Sequence, residues 1–417
     1  MTVRFQSLRI ITEKEILPPA DYIFDGNTLT KAGWAAAGDP EEEVKVDCTG
    51  LLGSRGWTDL RCFSGEPGLE HRETLESLAR ALMQGGMTEA VLLPNTQPPL
   101  QSKNEVAYVQ SRTAGLFPTF HIQAAVTKNF IGEELTEMLD LHHHGVRIFG
   151  EGLEPLSHSD RMMKALQYLQ KFDGILFDQS LDPMLALFGH MHEGLASTRL
   201  GLKGIPDLAE EVAVQKNLEI LRYTGGRLHF QTVSTRGALE QIRKAKGEGL
   251  AVTADVSIYQ LLFFDKDLWE FDTRLKVMPP FRGVSQREAL IEGLKDGTID
   301  ALVSNHVPQD GDAKNREFDL APFGMSGLPA FVPALVTLSE ELGYPLLISK
   351  LTRGPQQVLG QAGEDWTSLT VFDPDEAWEL NEVTNASMAE NNPYWGQSVK
   401  GRVKYLVNNG KMEGLHE

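Results

Sequence analysis

Eight residues at the ends of short apolar runs are placed where they could do chemistry: Arg61, Phe63, Asn95, Glu151, Gln179, Thr232, Asn305 and His306. A hydrolase that activates water on paired divalent ions gathers imidazoles and carboxylates from several strand ends, and one carboxylate also relays the proton of the water. In this set Glu151 is the only carboxylate and His306 the only imidazole. Arginine stays protonated and has no lone pair to donate, and phenylalanine offers none. Gln, Asn and Thr are weak neutral oxygen donors, better suited to hydrogen bonding than to zinc. An arginine at the centre would repel a dication outright, so the pocket reads as hostile to a metal pair.

Other residues admit a chemical reading and a bland one. Arg61, in GWTDLRCFSGEPG (56–68), is either an ordinary ion-paired arginine or a guanidinium that fills the space of a metal. His190 and His192 in GHMHEG (189–194) have metal-like spacing, but they fall in a predicted loop and read as solvated histidines. The run HHH (142–144) ends a helix, where imidazoles suit the dipole. His229 and Gln231 share one side of a strand and Thr232 the other, and His229 reads as a satisfied core histidine. Asp178 and Asp182 flank Gln179 and are the residues best placed to rescue a displaced metal site, although carboxylates without imidazole suit magnesium or calcium better than zinc.

The elements that must carry these residues are legible as a repeat. Strand candidates are GWTDL (56–60), EAVLLPN (89–95), FHIQAAV (120–126), GVRIFGE (145–151), GILFDQS (174–180), RLHFQTVS (227–234), LAVTADVSI (250–258) and DALVSNH (300–306). Helix-period segments lie between them, such as RETLESLARALMQGG and REALIEGLKDG, several ending in Gly. Eight strand–helix units predict an α/β fold of the (β/α)8 TIM-barrel type, with chemistry at the C-terminal strand ends. Residues 1–51 and 365–417 have β texture without helix period, so both termini are expected to build one small β-sandwich domain beside a barrel at 52–364.

Bulk properties narrow the partners. The 417 residues carry a net charge of -19, which argues against nucleic acid or an anionic membrane as the main partner. Cys48 and Cys62 cannot make a disulfide framework, and their number fits a reducing compartment. The charged N-terminal run MTVRFQSLRIITEKEIL reads neither as a signal peptide nor as a span, leaving the cytoplasm as the expected location.

Several framework motifs occur in order: EPG with HRETLES, GGMTEAVLLPNTQPP, the long run STRLGLKGIPDLAEEVAVQKNLEILRYTGGRLHFQTVST, then RLKVMPPFR, IDALVSNHVP, FGMSGL and GRVKYLVNNGK. On these the chain resembles the dihydroorotases of the class associated with aspartate carbamoyltransferase, within the amidohydrolase superfamily. The resemblance implies His-x-His where this chain has Arg61 and Phe63, a substrate-binding arginine where it has Gly65, and an acidic ligand where it has Gly150 unless Glu151 slides in. It further implies histidines at Gln179 and Thr232, an asparagine at Met278, and a proton-relaying aspartate at Asn305; of the substrate-side residues Asn95 alone clearly remains. Removing groups that act as a unit leaves little to salvage.

Three readings follow. The first is a pseudo-enzyme without metal or other cofactor, retained as a structural or activating partner of aspartate carbamoyltransferase in pyrimidine biosynthesis and expected to self-associate. The second is an active dihydroorotase or related cyclic amidohydrolase with an altered site around Glu151, Asp178 and Asp182, for which zinc would be the cofactor. The third is an interaction protein outside pyrimidine metabolism. The first is preferred because the ligand losses are read directly from residues. Whether the emptied pocket keeps a small anion through Arg61 and Asn95 stays open.

Overall fold

A computed structural model describes residues 2–32, 43–361, 363 and 366–415. The predicted junction at 364/365 lies outside the described residues.

The repeat forms eight parallel strands: β1 Trp57–Cys62, β2 Met87–Leu92, β3 Thr119–Ala124, β4 Ile148–Phe149, β5 Ile175–Asp178, β6 Leu228–Phe230, β7 Val252–Ser257 and β8 Ala301–Val303. They pair in chain order from β1 to β8. The ring closes where Cys62 bridges His306 in parallel and the Phe63 amide donates to the His306 carbonyl at 2.9 Å. The chain is therefore a (β/α)8 barrel. Strands β4 and β8 span two and three residues, much less than the apolar runs that contain them, because the chain turns into loops as soon as it reaches the rim.

Helices cover the barrel as the periodicity predicts. Leu75–Gln84 starts on a capping box between Thr74 and Ser77, and Leu75, Leu78 and Leu82 turn inward. Val284–Asp296 stops at Gly297, whose φ of 83° places it in the left-handed region that glycine tolerates. Inside the ring, Leu60, Val91, Ile148, Ile175, Phe177 and Val303 form an apolar plug with Val358 of the helix Arg353–Leu359. Arg227, at the start of β6, donates to the Val358 carbonyl at 2.8 Å, which puts that helix at the N-terminal end of the barrel. The opposite end is left for polar side chains.

Both termini join in one eight-stranded, mostly antiparallel sheet. It wraps a core that includes Phe5, Leu8, Phe24, Leu369, Val371 and Val407. Leu52–Arg55 belongs to this sheet, pairing with Leu369–Phe372 and with Arg9 and Ile10, so the crossing into the barrel occurs at Gly56. No room exists there for a side chain: a Cβ on Gly56 would lie 2.3 Å from Thr88 Oγ1. Among the described residues, no helix is long and apolar enough to cross a membrane.

Candidate functional site at the C-terminal mouth

Arg61, next to last in β1, is wholly buried. Its Nε donates to Asn305 Oδ1 at 2.9 Å, one terminal nitrogen donates to the Gly152 carbonyl at 3.3 Å, and the other donates to Gln179 Oε1. One guanidinium thus ties β1 to the loops after β4, β5 and β8. Burial pulls its pKa down to about 10, against the attraction of Asp255 and Asp59, and it stays charged at neutral pH. The partners are two amides and a carbonyl, not the carboxylate an ordinary surface pair would supply.

The other predicted residues divide between this knot and the surrounding framework. Asn305, held at a φ of 48°, passes the connection on by donating from Nδ2 to the Met278 carbonyl at 3.1 Å. Thr232, at a φ of 50°, donates its amide to Asp255 Oδ1 at 2.6 Å, while its hydroxyl finds no protein partner. Glu151 accepts from the amide and hydroxyl of Thr127, both at 2.8 Å, and its second oxygen is unpartnered. Burial outweighs those bonds and raises its pKa to about 7.

Asn95 and Phe63 do not join the knot. Asn95 donates to the Glu151 carbonyl at 3.0 Å and accepts from the Leu153 amide at 2.8 Å, clamping the loop after β4. A Cβ on Gly152 would fall 1.9 Å from Asn95 Oδ1, so the clamp requires glycine there. Phe63 packs with Leu93 and Val307, and the Arg72 guanidinium lies 4.0 Å from its ring centre.

Two positions at which the resemblance implies functional side chains are sterically closed. A Cβ on Gly150 would lie 2.2 Å from the Phe177 carbonyl oxygen and 2.3 Å from Gln123 Nε2. One on Gly65 would lie 2.1 Å from the Leu69 carbonyl oxygen and 2.6 Å from that of Glu73. The backbone and Gln123 occupy the volume that such side chains need. Gln123 was not anticipated; its one signal is an amide inside the apolar run FHIQAAV.

The histidines serve the framework. His229 is fully buried, with Nδ1 2.9 Å from Thr253 Oγ1 and Nε2 2.8 Å from Asp255 Oδ2. His306 accepts the Leu328 amide at Nδ1 and sets Nε2 3.5 Å from buried Glu73. His190 and His192 depart from the expectation of solvated loop residues. A short parallel bridge pair, Met191–His192 with Gly204–Ile205, draws them in, and each meets a cation: Lys276 for His190 and Arg282 for His192, both at 3.3 Å. Burial and these cations lower the pKa of both. His142 stacks on Phe172 with ring centres 4.2 Å apart.

Asp178 is spent on Ser180 and Asn217, and burial raises its pKa. Asp182 accepts from the amides of Met184 and Leu185. Among the described residues no three His, Cys, Asp or Glu side chains converge as a metal ion requires. The donor set at the centre, a guanidinium with two amides, does not fit a divalent pair.

The mouth opens into a cleft of about 540 Å³ lined by Gln179, Met278, Asn305, His190, Lys276 and a set of apolar residues. Lys276 is almost fully buried; it donates to the carbonyls of Phe318 and Asp319 at 2.7 and 3.0 Å, and burial lowers its pKa to about 8.

The architecture is shared with solved hydantoinase and dihydropyrimidinase structures. It superposes on L-hydantoinase from Arthrobacter aurescens with a TM-score of 0.84 at 19% identity, covering 100% of this chain and 97% of that one. A dihydropyrimidinase from Brevibacillus agri superposes at 0.80 with 17% identity, covering 99% and 95%. The family model described as dihydro-orotase-like matches residues 52–238. A dihydroorotase of Caldanaerobacter subterraneus is 34% identical over 383 residues, 90% of this chain and 89% of that protein. One from Pelotomaculum thermopropionicum is 36% identical over 402 residues, 94% and 92%. A dihydroorotase-like protein of Pseudomonas aeruginosa is 33% identical over 426 residues, 99% of each chain. The chain belongs to the dihydroorotase-like family.

Proposed function

We propose that this member of the family does not hydrolyse dihydroorotate, and that it serves in the cytoplasm as a self-associating structural or activating partner of aspartate carbamoyltransferase. The observation that carries the reading is the burial of Arg61 at the barrel centre, with Asn305, Gln179 and Gly152 spent on it. A water nucleophile at neutral pH needs a metal or a base beside it. The central cation disfavours the first, and Asn305 has no carboxylate to act as the second. The partner rests on the family resemblance. Its test is to mix the purified chain with the carbamoyltransferase of the same cell and follow sedimentation and transferase rate. Association with a changed rate supports the reading, and two separate boundaries with an unchanged rate remove this partner.

One observation favours an altered hydrolase instead: Glu151, with a pKa near 7 and one free carboxylate oxygen, has the protonation range of a general base. Against it, Glu151 is buried and does not line the cleft. Dihydroorotate turnover by the purified chain that is lost in Glu151→Gln would establish the second reading over the first.

A further inference from the structure

The side chains on the inner wall of the mouth cleft have their hydrogen-bond polarity fixed by neighbours behind them. Arg61 has only N–H groups to offer, so Gln179 and Asn305 must each turn their carbonyl oxygen toward it. That leaves Gln179 Nε2 facing away from the arginine with no protein partner among the described residues, and Asn305 Nδ2 with one hydrogen beyond the bond to Met278. Lys276 acts in the same way on His190: an ammonium can only donate, so Nδ1 accepts and the ring proton sits on Nε2. All three of these polar groups therefore present donors to the cleft. Of two buried cations, Arg61 stands behind Gln179 and Asn305 and Lys276 lies in the cleft wall beside His190.

The remaining lining is apolar, including Leu153, Leu181, Phe188, Met278, Val307 and Phe323. Phe188 is 73% exposed at the lip, and the nearby Met184 is 74% exposed. Glu154 and Asp319 hold carboxylates at the outer rim. A volume of this size suits a small organic ligand.

We propose that the cleft binds a compact organic monocarboxylate, with its carboxylate on Gln179 Nε2, Asn305 Nδ2 and His190 Nε2 and its apolar body under Phe188. The rim carboxylates repel a second acid group, which restricts the ligand to one. Arg61 and Asn95 take no direct part, since the first is enclosed and the second is turned into the loop after β4. Binding requires neither turnover nor a partner protein, so it stands or falls independently of the carbamoyltransferase.

The experiment is calorimetric titration of the full chain with benzoate, cyclohexanecarboxylate and octanoate, each beside its primary amide. At least one acid is expected to bind about tenfold or more tighter than its amide, the scale of one charge-assisted hydrogen bond. Gln179→Glu keeps an acceptor for Arg61 but turns a carboxylate oxygen toward the cleft; it should stay folded and lose acid binding by about tenfold or more. His190→Leu removes one donor far from Arg61 and should weaken the same acid severalfold without altering the melting temperature. The proposal is overturned if no acid binds, if acid and amide bind equally, or if both variants retain parental affinity.

Discussion

Replacing Arg61 by alanine tests whether this guanidinium holds the mouth of the barrel together. The change removes the donors that serve Asn305 Oδ1, Gln179 Oε1 and the Gly152 carbonyl, all on buried residues. A buried acceptor left unpaired costs about 1–3 kcal/mol. Two terms offset part of that sum: the guanidinium's own burial cost disappears, and water enters the vacated space. The net expectation is a loss of about 3–5 kcal/mol, comparable with breaking a buried ionic network. For a chain of this size, with an unfolding entropy of about 0.9 kcal/mol per kelvin, that corresponds to a fall in Tm of about 3–6 °C. Arg61→Lys should fall between parent and alanine, because one ammonium cannot reach three separate loops. The control is Arg353→Ala, which removes an exposed pair with Glu13 and should shift Tm by about 1 °C or less. Differential scanning calorimetry at neutral pH reads all three. A Tm for Arg61→Ala within about 1 °C of the parent would refute the claim that this residue spans the barrel mouth.

Other predictions concern single side chains around the same site. Glu151 has a folded pKa near 7, above its unfolded value, so its stabilising contribution is complete below about pH 4.5 and is lost as pH rises to 7. Glu151→Gln should flatten that part of the Tm-against-pH curve and melt higher than the parent at pH 8; an unaltered slope would contradict the assignment. Gly150→Asp, which restores the acidic ligand expected by resemblance, should fold poorly or melt several degrees lower because Gln123 and the Phe177 carbonyl occupy its space. Soluble Gly150→Asp protein with parental Tm would show that the site opens readily. Lys314 donates to the carbonyls of Thr273, Lys276 and Pro322, so Lys314→Met should speed hydrogen exchange or proteolysis in the loops around 273–276 and 322. Equal protection in variant and parent would count against that role.

The barrel was legible because apolar runs alternate with helix-period segments, several of them ending in glycine, a rhythm that needs no tertiary information. The start of the barrel was harder to place. The expected barrel bounds begin at 52, yet Leu52–Arg55 pairs with the C-terminal β segment and only Trp57–Cys62 enters the ring. Register with a partner more than three hundred residues away decides that division, and local pattern does not carry it. At the site, the residue types Arg61, Gln179, Thr232 and Asn305 could be read one by one. How they are held could not. The capture of Gln179 and Asn305 by Arg61 depends on three loops converging, and the diversion of Asn95 depends on the bare backbone of Gly152. The inward placement of His190 and His192 is not carried by local pattern, because the paired segments that draw them in are only two residues long.

The most direct test of the central claim is the zinc content of the full chain, produced in zinc-supplemented medium and measured by elemental analysis after dialysis without chelator. A pocket centred on Arg61 predicts far less than one equivalent per chain. Two equivalents, retained by the parent and lost when Glu151 or Asp178 is replaced by alanine, would contradict it.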